Sequence, residues 1–162
     1  MKIEQIKEKF EIDAGAPMPR ILSNEHHLYL VFYISKVSPN WDGTSVHVRS
    51  DKDDGIVTVK FTRFAQFKFG NPNDEAIHGH PLYDFGLEAY SIQKVIDSNW
   101  IKELNAMNSV HPYHKDEHFE KYEHFIFFFH DTCFEIVAEG YSVEANSESN
   151  IKDEIQRIGR LL

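Results

Sequence analysis

From Leu28 to Ile34 the chain is apolar in both phases of the alternation: Leu28, Leu30, Phe32 and Ile34 interleave with Tyr29, Val31 and Tyr33. A β-branched and aromatic run of this kind predicts a strand buried on both faces. Upstream, Ile3, Ile6 and Phe10 fall at helical spacing among Glu4, Lys7, Glu8 and Glu11, which predicts a short amphipathic helix within residues 1–13, ended by Gly15, Pro17 and Pro19. Downstream, Val46 and Val48 alternate with His47 and Arg49, DKDDG follows at 51–55, and Val57, Val59 and Phe61 resume the alternation, so a hairpin is expected. The odd-numbered phase then continues through Ala65, Phe67 and Phe69 with Arg63 as its lone charge. That predicts an unusually long strand with a bend or bulge near Arg63.

GNPND at 70–74 breaks the pattern and opens a loop that runs to Gly86, after which Leu87 to Asp97 reads as a strand. Ser98 is placed to cap a helix whose apolar positions are Trp100, Ile101, Leu104 and Met107, and His111-Pro112 stops it. HFIFFFHD, from His124, and the alternating segment from Cys133 to Val143 predict two antiparallel strands joined by a tight turn at residues 130–132. Asn150 can cap a last helix, within 150–162, with Ile151, Ile155, Ile158 and Leu162 on one face. Helices do not alternate regularly with strands. The expectation is a single α+β domain over residues 1–162, with a β-rich core at 28–144 forming a curved, mainly antiparallel sheet, a central helix after Ser98 and short amphipathic terminal helices.

A chain of 162 residues is long enough to bury a real core, and its hydrophobic fraction of 41% against 27% charged places it among globular proteins. Twenty-six Asp and Glu against 17 Lys and Arg leave a net charge of −9. Phosphate backbones and anionic membrane surfaces are held by clustered Lys and Arg, so neither nucleic acid nor a membrane is expected as partner, whereas a basic protein or a small molecule is. A homodimer is the alternative that exposed strand edges and aromatics leave open. With Cys133 as the only cysteine, no internal disulfide can form; the N-terminus lacks a signal-peptide pattern and no 18-residue apolar run occurs, so a cytoplasmic location is expected.

The ten histidines carry the hint of chemistry. His78 and His80, two residues apart, can point the same way from an extended chain and share a divalent metal, with Glu75, His114, His118 or His130 completing the set. No assured cofactor follows, since these spacings match no complete metal motif. Turn-forming Asn71, Asn73 and Asp74 offer the plainer reading of a loop whose histidines satisfy backbone groups. Arg63 needs a carboxylate if buried, and Glu135 on the last long strand is the expected partner, as a structural ion pair or a ligand anchor. Cys133 reads as a buried structural thiol, and the aromatic surplus, in which Phe outnumbers Tyr and Trp, reads mostly as core at alternating strand positions.

Two stretches, DSNWIKELNAMN at 97–108 and HFIFFFHDTCFEIVAEG at 124–140, carry an S-x-W-I-x-E-L helix and an H-F-I, H-D, F-E-x-x-A strand pair. In this they resemble small uncharacterised bacterial proteins, and the resemblance implies an α+β domain without established catalytic residues. The functional expectation is a non-enzymatic binding or interaction protein with an acidic surface, of the kind that neutralises a basic partner as immunity proteins do. A metal-dependent enzyme, such as a hydrolase centred on His78 and His80, is the first alternative. A carrier for a small apolar ligand is the second.

Overall fold

The structure, a computed structural model, describes residues 1–35, 55–147 and 149–162. In them the chain runs β1 (Lys2–Ile6), β2 (Glu11–Ile12), β3 (Arg20–Ser23), β4 (Leu28–Ser35), β5 (Ile56–Gly70), β6 (Ser91–Ile96), α1 (Asn99–Asn108), β7 (Glu123–Phe128), β8 (Cys133–Asn146) and α2 (Ile151–Gly159). All strand pairings are antiparallel, in the order β1-β6-β7-β8-β5-β4, and β2 and β3 share the outer edge of β4. The α+β domain with a curved antiparallel sheet, a helix after Ser98 and a C-terminal helix is as the sequence predicts. The first strand of the expected hairpin, at Val46 and Val48, lies outside the described residues.

The N-terminus departs from expectation. Residues 2–6 form a strand paired with β6, not a helix. Ile3 and Ile6 sit three apart, which in a strand places them on opposite faces, and each meets a different core: Ile3 packs beside Val95 and Ile126, Ile6 beside the aromatic cluster. Apolar positions at i and i+3 therefore serve a strand with apolar layers on both sides as well as they serve a helix.

The expected long strand is present, with its irregularity where it was placed. The register of β5 against β8 shifts between Phe64 and Gln66, and Arg63 adopts a left-handed φ of 45°. This bulge turns the Arg63 side chain outward, 74% exposed, where it meets Glu139 at 3.5 Å. The expected Arg63–Glu135 pair does not form. Beyond the bulge Lys68, not Arg63, stands opposite Glu135.

The two faces of the sheet differ. One is a continuous aromatic layer in which Phe32, Phe61, Phe127, Phe129 and Phe134 are buried and edge-on or tilted to one another. The rings of Phe32 on β4 and Phe127 on β7 approach to 6.3 Å although their strands are three places apart, a separation of roughly 14 Å in a flat sheet. Strong curling closes this face on itself.

The opposite face is covered piecewise. At one end α2 lays Ile151 and Ile158 on Tyr29, Val31 and Ile56. Asn150 caps this helix by accepting from Asp153 N–H at 3.0 Å, and the buried Glu154 accepts from Thr58 Oγ1 at 2.6 Å while Arg157 brackets it. At the other end the loop between β5 and β6, with short 3-10 turns at Asp74–Gly79 and Tyr83–Phe85, packs Ile77, Leu82 and Leu87 against Val95, Ile126, Phe128 and Cys133. Between them α1 stands over β7 with Trp100 buried.

Candidate functional site

On the covered face of the sheet, among apolar neighbours, lies a buried polar network. Phe128 pairs with Cys133 across the β7–β8 hairpin, and this register sets Ile126 opposite Glu135 and His124 opposite Val137. His124 and Glu135 are thus diagonal neighbours on one face. His124 Nε2 lies 3.0 Å from Glu135 Oε2, and His124 Nδ1 lies 2.9 Å from Ser98 Oγ. His80 Nε2 faces the other carboxylate oxygen of Glu135 at 3.5 Å. All four side chains are buried.

The hydrogen bonds assign the tautomers. Leu82 N–H donates to His80 Nδ1 at 3.1 Å, which leaves the His80 proton on Nε2, facing Glu135. Glu135 is an acceptor, so His124 also donates through Nε2, and in the neutral ring Nδ1 then accepts from the Ser98 hydroxyl. Burial by itself would raise the Glu135 carboxyl, yet the hydrogen bonds from His124 and His80 overrule it and hold the group well below the usual carboxylate range. Cys133, two residues earlier on the same face, shows the opposite outcome: burial and the Glu135 charge push its thiol up, making it inert.

The ends of this network are supported separately. Ser98 is the N-cap of α1, accepting from Ile101 N–H at 3.4 Å. The Trp100 ring meets His124 edge-on at 5.0 Å, its indole N–H donates to Gln66 at 2.9 Å, and Lys68 sits over the ring at 3.8 Å from its centre. Ser98 is also among the residues that line a groove of about 580 Å³ between β6, α1 and the segment before β7, together with Lys94, Ile101, Lys102, Asp116, Phe119 and Tyr122.

A second cluster lies at the loop end of the sheet. Tyr90, with a left-handed φ of 55°, donates its hydroxyl to Asp74 Oδ2, and His130 Nδ1 lies 2.8 Å from the Tyr90 oxygen and 3.0 Å from the same Asp74 oxygen. The Tyr90 hydrogen bond is the main reason that Asp74 lies below the ordinary aspartate range. Burial, then the Asp74 bond and the charges of Asp131 and Glu75, raise the Tyr90 phenol.

The sequence candidates for a metal divide among separate settings. His80 turns inward to Glu135, whereas His78, two residues earlier, is exposed and packs on Tyr83 at 4.5 Å between ring centres. The Asp74–Gly79 stretch is a 3-10 turn, not an extended chain, so the two imidazoles do not point the same way. Glu75 is exposed on that turn. His114 bonds Asp116 at 3.1 Å and Asn108 at 3.0 Å, His118 is exposed, and His130 belongs to the Asp74–Tyr90 cluster. Among the described residues no three His, Cys, Asp or Glu side chains are arranged to hold a metal ion.

Glu135 is central, but with histidine partners. The sequence signal for the network was two ionisable residues, His124 and Glu135, on the same phase of an otherwise apolar hairpin. The contributions of Ser98 and His80 needed the tertiary packing of α1 and the loop. No protein-family model, curated protein or solved structure matches this chain.

Proposed function

We propose that this protein works by binding, and that its acidic loop end is the contact surface for a basic partner protein, an immunity-like neutralisation. The observation that carries this reading is the distribution of charge. Residues 69–93 and 122–151 contain no Lys or Arg. The fold sets the first stretch beside the β7–β8 turn, through the Asp74–His130 contacts, so that Asp74, Glu75 and Asp131 surround Tyr90. Glu75, Asp84, Glu88 and Asp131 are exposed, and the rings of Phe69 and Phe85 are partly bare at 44% and 38%. Carboxylates beside open aromatic faces suit Lys and Arg side chains, which gain from both.

No helix among the described residues is long and apolar enough to cross a membrane. A cytoplasmic setting is supported by the single buried, inert thiol at Cys133. A bacterial source is supported by the resemblance of residues 97–108 and 124–140 noted above.

Titration of the ¹⁵N-labelled protein with an octa-arginine peptide tests the binding surface. Saturable amide shifts centred on residues 74–90 and 130–131, weakened by salt and lost on combined Glu75→Lys and Asp131→Lys substitution, are expected. Shifts centred elsewhere, or no saturation at low ionic strength, would overturn the reading.

A further inference from the structure

We propose that Ser98, His124 and Glu135 form a nucleophilic relay that cleaves small carboxylic esters in the groove that Ser98 lines. This goes beyond the binding role and does not depend on the acidic end. The groups stand in the order that acyl transfer requires: a hydroxyl 2.9 Å from one imidazole nitrogen, and a carboxylate 3.0 Å from the other. Such a relay is recognised by geometry and roles, not by sequence order.

The neutral ring has the productive tautomer. With its proton held toward Glu135, His124 turns an acceptor nitrogen to the Ser98 hydroxyl. His80 fixes Glu135 from the far side, and its own orientation is fixed by Leu82 N–H. Glu135 and His80 are therefore positioning residues, while Ser98 and His124 meet the reacting atoms. Ser98 also opens α1, a ten-residue helix, and the N–H groups of Asn99 and Trp100 have no carbonyl to pair with inside it. These donors sit beside the nucleophile, where an acyl-transfer site needs support for a developing oxyanion.

In the step proposed, Ser98 Oγ attacks the ester carbonyl carbon and its proton passes to His124 Nδ1. The tetrahedral adduct collapses, the carbon–oxygen bond to the alcohol breaks, and the alkoxide leaves with that proton, giving acyl-Ser98 and the free alcohol. Water then attacks the acyl carbon, giving its proton to His124, which returns it to Ser98 Oγ as the carboxylic acid departs. The groove offers Ile101, Phe119 and Tyr122 to an apolar acyl or alcohol part.

Diisopropyl fluorophosphate tests the nucleophile, because Ser98 Oγ would displace fluoride and retain the phosphoryl group. Peptide mapping of the treated full-length wild type should place one adduct on Ser98, and p-nitrophenyl acetate hydrolysis should saturate. Ser98→Asn keeps a good helix cap while removing the nucleophile, and should lose both. Glu135→Gln should slow labelling by about tenfold or more and displace its pH profile, which a merely structural role would not do. Absence of an adduct at Ser98 in the folded wild type, or hydrolysis unchanged in Ser98→Asn, would overturn the proposal.

Discussion

The hairpin β7–β8 presents two unlike faces built from alternate residues of the same twelve ladder positions. Phe125, Phe127, Phe134 and Ile136 point to the aromatic layer, whose buried members are all apolar. His124, Ile126, Cys133 and Glu135 point the other way, where two charged or polar groups sit in a surround just as dry. The aromatic face is held by shape and area, and neighbouring rings can adjust to a loss. The polar face is held by a closed set of donors and acceptors, and a single missing member leaves another buried without its partner.

The largest loss of stability is expected where the packing is densest. Phe127→Ala removes a fully buried ring in contact with Phe32, Phe61, Phe134 and Tyr141. A loss of about 3–5 kcal/mol is expected in denaturant unfolding, with little dependence on pH between 4 and 8. His124→Ala leaves Glu135 buried with His80 as its remaining ring partner, and about 3 kcal/mol is expected by the same measurement.

The faces differ in sign-defined pH behaviour. The carboxyl of Glu135 is held below its ordinary value of 4.5, so the folded state favours its ionised form. That stability is present above about pH 4.5 and falls as the pH drops through and below it, while the unfolded chain takes up the proton first. Asp74, Asp97, Asp116 and Glu154 are lowered as well and act in the same direction. Acid unfolding of Glu135→Gln should therefore show a shallower decline than wild type between pH 5 and 3, not a flat line, whereas Phe127→Ala should keep the wild-type slope.

Smaller effects mark the borders of the network. Ser98→Ala removes both a helix cap and the donor side of the His124 bond, and should cost about 1–2 kcal/mol, with Ser98→Asn recovering most of the cap contribution. Arg63→Ala, which removes an exposed pair with Glu139, should fall within about 0.5 kcal/mol of wild type by thermal unfolding.

Much of the fold could be read from local chemistry. The Ser98 and Asn150 caps, the bulge beside Arg63 and the tight turn at residues 130–132 each depend on a few neighbouring residues, and each stands where the sequence puts it. The N-terminal strand could not be read this way, because Ile3 and Ile6 answer to apolar layers on two sides that only the assembled sheet supplies. The candidate site shows the same division. His124 and Glu135 share a phase of one hairpin and are eleven residues apart, so pairing the strands brings them together. His80 reaches Glu135 from a loop 55 residues away along the chain, and the glycine and proline around it gave no sign that its ring turns inward while that of His78 stays outside.

The difference between the two faces rests on the proton arrangement that links Ser98, His124, Glu135 and His80. Long-range ¹H–¹⁵N correlation of the imidazole rings in the folded protein reads it directly. Both His80 and His124 should appear as the Nε2–H tautomer, with the His124 Nδ1 resonance of an acceptor nitrogen that changes in Ser98→Ala. A His124 ring protonated on Nδ1 instead, or ring shifts averaged as in a free imidazole, would contradict the account.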